Sequence, residues 1–380
     1  MSPRNPFRPT FGASPHHWAG RQTILDDFRE GIADGPGDPH RSLIISGARG
    51  IGKTVLLTEL EDIAAEAGWI VLRATGREDT VDVLVDSTIP EKIRQLDPPA
   101  TRALTGVGVT GLGRIEVDRI AEDKPAPTLT SRMRELLSLL RGAGVLITVD
   151  EVQDADPDAL SALANGYQDL VRDDEEVALV MAGLSHGVGQ LLDLPGTTFL
   201  RRARRYELGP LTDTDAAVTL RETAESGGLP FVERAVPAAV DIARGYPYLV
   251  QLVGYLAFRT AARDGSSAIS RSAVEAIREE AVETMGVQVH HPSLKGLPPA
   301  QLNYLQAMSD LVFDVGDDAA AVSTSEIAAE LGKTPNATTD TRGKLLERGL
   351  IDAAGWGRVA FTLPYMANFL RGGGRINRIS

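Results

Sequence analysis

The chain has 380 residues, 43% hydrophobic and 24% charged, with a formal net charge of −13 and no cysteine. Its length exceeds a typical single core and implies two or three domains. The missing cysteines exclude disulfides, cysteine-ligated zinc and thiol catalysis, and the acidic balance argues against a surface coated in nucleic acid while leaving room for a local basic face.

The first residues, "MSPRNPFRPTFG", lack the apolar core of a signal peptide, and no run approaches 18 apolar residues. A cytoplasmic protein without a membrane span is expected. Residues 1–40 are rich in Pro, Gly and His, and "RQTILDDFREGIAD" reads as a short amphipathic helix. From 41 to 208, "SLIISG", "WIVLRATG", "VLITVDE" and "VALVMAGL" are near-continuous apolar runs alternating with helical patterns such as "KTVLLTELEDIAAEAG". Strands covered on both faces read this way, so the fold class is α/β with a doubly wound parallel sheet. "TGVGVTGLGRIEVDR", residues 105–119, reads as an inserted β-hairpin. Residues 209–287 show helical patterns only and predict an all-α unit. A linker at 288–299, a compact unit at 300–372 and a basic tail at 373–380 complete the chain.

Gly47-Ala48-Arg49-Gly50-Ile51-Gly52-Lys53-Thr54 fits G-x-x-x-x-G-K-[ST], with an apolar strand before it and a helix after it, and Val55 next to the loop counts among the nucleotide-binding residues. The glycines let backbone N–H groups turn inward around phosphates, and the helix N-terminus adds partial positive charge. Lys53 would reach the β- and γ-phosphates and Thr54 would ligate Mg²⁺. "LGKT" recurs at 331–334, but Ile327 stands where the first loop glycine belongs, so no such loop forms there. "VLITVDE" ends in Asp150 and Glu151, the first suited to holding Mg²⁺ and the second to polarising an attacking water. The next strand ends at Ser185-His186, where Ser185 either faces the ligand or caps a helix. Arg201, Arg202, Arg204 and Arg205 form a cluster that reads as a solvated face, a nucleic-acid patch or an arginine finger.

The ordered set "GARGIGKT", "VLITVDE", "AGLS", "RRARRYELGPL" and "GYPYLVQ" resembles the AAA+ ATPases, within them the origin-recognition and STAND-like branches. The resemblance spans roughly 18–370 and implies a five-stranded parallel sheet with a helical lid. It implies that Gly20 and Arg21 pack near the adenine, that Gly47 to Thr54 is the Walker A loop, and that Asp150 and Glu151 are Walker B. It further implies Ser185 as sensor 1, Arg202 as the finger acting on a neighbouring subunit of a homo-oligomer, and a lid motif at Gly245 and Pro247. Arg244 beside that motif stands where many members carry a sensor arginine.

"VSTSEIAAELGKTPNATTDTRGKLLERGLIDAAGWGRVAFTLP" reads as helix, turn, helix and hairpin, and resembles a winged helix-turn-helix domain. Its second helix would present Asn336, Thr338, Thr339 and Arg342 to duplex DNA. Residues 333–380 hold eight basic residues against three acidic ones, which favours DNA over a protein partner. The pairs His16-His17 and His290-His291 lack further ligands at metal spacing and read as loop residues. The expected activity is ATP hydrolysis coupled to oligomerisation and DNA engagement. The alternative is a STAND-like nucleotide-gated regulator with little turnover.

Overall fold

The computed structural model describes residues 4–10, 15, 19–98, 126–194, 197–315 and 320–372. The hairpin expected at 105–119, the His16-His17 pair and the basic tail lie outside the described residues. Five strands, β1 (Ser42–Gly47), β2 (Ile70–Thr75), β3 (Val145–Asp150), β4 (Val177–Gly183) and β5 (Arg204–Leu208), form one parallel sheet in the order β2-β3-β4-β1-β5. Alternation along the strands decides which face each residue serves. Leu43 and Ile45 of β1 and Ala178, Val180 and Ala182 of β4 enter one core, with the phosphate-loop helix Lys53–Glu66. Ile44, Leu179 and Met181 enter a second core on the opposite face, with the helices Leu129–Leu137 and Pro157–Arg172. A parallel sheet covered on both faces needs apolar residues at both parities, which is why these strands show no polar alternation.

β5 begins with Arg204 and Arg205, the second half of the arginine cluster, and forms an edge of the sheet, paired among the described residues to β1 alone. No apolar run announced it, because an edge strand tolerates charge that a central strand does not. Arg204 and Arg205 lie exposed on it, and its carboxyl end, Leu208, returns to the core.

An all-helical region follows, with Asp213–Ser226 capped by the Thr212 side chain, Val236–Ala243, and the lid helix Pro247–Arg263. The lid helix runs directly across the amino-terminal segment. Phe7 is 3% exposed, stands edge-on to Phe258 at 6.4 Å and fills a notch above Gly254, where a Cβ would come within 2.2 Å of its ring. Only glycine leaves room for that close approach. The stretch expected to be a linker is helical over 286–294, and His290 within it is fully buried instead of lying in a loop.

The last region runs helix Pro299–Val315, strand β6 (Val322–Ser323), helix Thr324–Glu330, a 3₁₀ turn at Pro335–Thr338, helix Thr339–Glu347 and the hairpin β7 (Ile351–Ala353) and β8 (Arg358–Phe361), closing with helix Met366–Arg371. β6 and β7 flank β8 in a small antiparallel sheet. Ser323 caps Thr324–Glu330 in a capping box with Glu326, and Gly332 ends that helical turn at φ 63°. This region sits on the rest of the molecule. His290 Nε2 donates to the Pro364 carbonyl at 2.9 Å, the Tyr365 hydroxyl donates to the Ile242 carbonyl at 2.9 Å, and Gly349 rests on Leu184. Among the described residues no helix is long and apolar enough to cross a membrane.

Candidate functional site

The octapeptide joins central β1 to its helix, so it sits at the carboxyl edge of the sheet, where open α/β sheets bind their ligands. Gly47, Gly50 and Gly52 take φ values of 153°, 68° and 97°. Gly50 admits no side chain for a second reason: a Cβ there would stand 1.8 Å from the Tyr246 hydroxyl. That hydroxyl donates to the Arg49 carbonyl at 2.9 Å and ties the lid to the loop. Lys53 is 5% exposed, and its ammonium donates to the Gly47 and Ala48 carbonyls at 3.0 and 2.8 Å. Burial holds its pKa below the usual lysine range, against the opposing pull of Glu151 and Asp150.

Pairing of β1 with β4 and of β4 with β3 brings Asp150 to the same edge, and the Thr54 hydroxyl donates to its Oδ2 at 2.6 Å. Desolvation raises the Asp150 pKa above the usual carboxylate value and neighbouring Glu151 adds to it, while the bond from Thr54 works the other way. Glu151 sits in the left-handed region at φ 55°, and Gln153 Nε2 donates to its Oε2 at 2.5 Å. The Gln153 Oε1 accepts the Leu184 N–H at 3.0 Å, so one amide spans the ends of β3 and β4. Sequence reading passed over Gln153, since nothing in a polar residue two positions beyond a strand marks such a bridge.

A cavity of about 590 Å³ opens over the loop. Arg49 to Val55, Glu151 and Arg21 line it, with Pro247, Tyr246, Tyr248 and Gln251 from the lid. Arg8, Pro9 and Thr10 of the amino-terminal segment, Thr219, and Gln288, Val289, Pro292 and Ser293 also face it. The amino-terminal segment was expected near the adenine through Gly20 and Arg21, not through residues 8–10, and the 288–293 stretch was not expected at all, because a Pro/Gly-spaced linker carries no motif.

Other sequence-derived positions fall elsewhere. Gly20 does not line the cavity; it rests on the Asp215 carboxylate at φ 73°, and Arg21 Nη2 donates to the Gly209 carbonyl at 2.5 Å. Ser185 begins the helix Ser185–Asp193, donates to Glu207 at 3.3 Å and is not in the cavity wall. Arg244, in the left-handed region at φ 47°, lies outside the cavity and stacks on the Tyr365 ring at 4.7 Å. In the arginine cluster, Arg201 bonds the Leu192 carbonyl, Arg205 the Arg201 carbonyl and Arg204 His40. Arg202 is exposed and has no partner among the described residues. Of the DNA-facing candidates, Asn336 and Thr339 are exposed and Arg342 is half-buried. Thr338 is not available to a partner: it is 4% exposed and its hydroxyl donates to the Pro335 carbonyl, closing the 3₁₀ turn.

The loop, its acidic strand end and the cavity over them define a P-loop nucleotide-binding protein of doubly wound architecture. Residues 17–179 match the AAA ATPase domain family, and residues 287–370 match a domain of unknown function (DUF8462). No curated protein matches the sequence significantly. Among solved structures, the ORC2 protein of Aeropyrum pernix is 15% identical with a TM-score of 0.61, covering 98% of both chains. A Walker-type ATPase of Pyrococcus abyssi is 17% identical with a TM-score of 0.61, covering 92% of this chain and 95% of its own. At such identities the likeness is one of fold. The chain carries an ATP-binding AAA ATPase domain over residues 17–179 and shares its fold with the ORC2 protein.

Proposed function

We propose that this AAA+ protein hydrolyses ATP slowly and passes its nucleotide state to the carboxyl-terminal region, which engages duplex DNA. The observation that carries this reading is the shared wall of the cavity: loop, Glu151 just past the end of β3, lid and the 288–293 segment all meet there. Lys53 and the loop N–H groups hold the phosphates. Glu151, clamped by Gln153, orients the water and takes its proton as the oxygen attacks the γ-phosphorus and the bond to the β,γ-bridging oxygen breaks, leaving ADP and phosphate. Thr54 and Asp150 supply a hydroxyl and a carboxylate side by side, a hard-oxygen pair that fits Mg²⁺, which would offset charge on the β- and γ-phosphates. Exposed Arg202 is the finger offered to a neighbouring subunit, so turnover rises with self-association.

Transmission runs through contacts that leave the lid. Tyr246 touches the loop through Arg49, and three residues away from Gly245–Pro247 the chain makes the Tyr365–Ile242 bond; Arg244 stacks on Tyr365 and His290 bonds Pro364. A lid that shifts on hydrolysis therefore pulls on the last region directly. The helix order there and the hairpin after it support a winged-helix reading, with Asn336, Thr339 and Arg342 toward DNA.

A regulator with little turnover is the second reading. The engagement of Arg244 with Tyr365, away from the cavity, favours it, because that arginine is then not at the phosphates. Steady-state phosphate release by wild type and Glu151→Gln decides between the two. Titrating labelled duplex DNA by fluorescence anisotropy, with and without ATP at two salt concentrations, tests the output. Absence of salt-sensitive binding in every condition would remove DNA from the proposal.

A further inference from the structure

We infer that Gln251 reads the base of the bound nucleotide, and that the amino-terminal segment fixes which end of its amide does so; this rests on the phosphate-loop reading above. With the phosphates at Gly50–Thr54, the nucleoside is left the rest of the cavity, where the lid presents Pro247 and Gln251. Four residues apart on one helix, these two share a face. Gln251 is 9% exposed, and its Oε1 accepts the Arg8 backbone N–H at 3.0 Å. A backbone N–H only donates, so the atom facing it must be the carbonyl oxygen, and the amide cannot be flipped without losing that bond. Its NH₂ is left without a partner among the described residues. That NH₂ is a donor open to the cavity, and the ring nitrogens of adenine are acceptors. Thr219, 4% exposed, stands on the same cavity wall with an unpartnered hydroxyl, a second group for the base edge.

The segment that orients Gln251 is held as firmly as the helix itself. Asn5 Nδ2 donates to the Tyr255 carbonyl at 2.9 Å, and Phe7 fills the notch over Gly254. Residues 5–8 thus travel with the lid helix, and the third wall of the site comes from the start of the chain.

The test titrates the full chain with ATP and with inorganic tripolyphosphate, which carries the phosphates without a base. Gln251→Met and Gln251→Leu should weaken ATP about tenfold while leaving tripolyphosphate unchanged. Arg8→Pro, which deletes the N–H, should weaken ATP more than Arg8→Ala, which keeps it. Unchanged ATP affinity in the Gln251 variants overturns base reading, and so does a parallel loss of tripolyphosphate, since that marks a structural role. Equal effects of the two Arg8 substitutions overturn the orienting role of the segment. Retained binding of both ligands by Lys53→Ala is a different failure, that of the phosphate-loop reading.

Discussion

The two ends of the nucleotide cavity are built in contrasting ways. The phosphate end is one octapeptide plus the end of β3, and its chemistry resides in residue identity: a glycine loop, a lysine, a threonine, two carboxylates. The base end is assembled from the amino-terminal segment, two lid helices and the 288–293 stretch, of which only the Gly245–Pro247 start of one lid helix carries a motif. Local chemistry can be spelled in a few letters; a wall contributed by four distant segments exists only once the chain has folded.

Perturbing each end should separate them. The largest effect belongs to Glu151→Gln, expected to keep ATP binding and to lower phosphate release by about 10² to 10⁴ in single-turnover assays. Normal hydrolysis by that variant would remove Glu151 from the chemistry. Lys53→Ala, which deletes the buried ammonium, should weaken ATP by about 100-fold in calorimetric titration.

The next effect lies where the base end meets the carboxyl-terminal region. His290 is fully buried, and desolvation lowers its pKa to about 4 against an ordinary 6.5, although its bond to Pro364 works the other way. Because the folded state resists the proton that the unfolded chain accepts, its stability is complete above pH 6.5 and falls as pH drops from 6.5 toward 4. The loss approaches ~3 kcal/mol at the low end. Denaturant melts across that window should show it, and His290→Gln should flatten it; an unaltered pH slope in the variant would acquit this residue.

Tyr246→Phe should cost about 1–2 kcal/mol, because the Arg49 carbonyl loses its donor inside a closed contact. It should also loosen the lid, visible as weaker nucleotide protection against proteolysis. The smallest change is expected from Asn336→Ala with Thr339→Ala. Both side chains are exposed, so stability should stay within about 0.5 kcal/mol while any duplex-DNA affinity falls, as measured by anisotropy.

Part of the fold was written in local pattern and part was not. β1, β3 and β4 read as strands because both parities are apolar, and the phosphate loop was legible from eight residues. β5 was hidden by its arginines, whose charges are tolerable only at an edge. Arg244 sits next to a lid motif in sequence, yet a left-handed turn sends it to Tyr365. Thr338 stands in line with three other DNA candidates, but a 3₁₀ turn buries it. Such local reversals of direction depend on one or two dihedral angles that hydropathy does not encode.

By itself the sequence determined a phosphate-binding loop, an acidic strand end and a parallel sheet, since each follows from residue type and spacing along a short stretch. The tertiary structure alone decided that Tyr246 caps the loop, that Arg202 is the cluster's unengaged arginine among the described residues, and that Arg8, Pro9 and Thr10 wall the cavity. Those facts arise from contacts between residues up to about 240 positions apart, as Arg8 and Gln251 are. No property of either residue's neighbours in sequence reveals such a pairing; it follows only from how the apolar faces of the lid helix and Phe7 meet in the core.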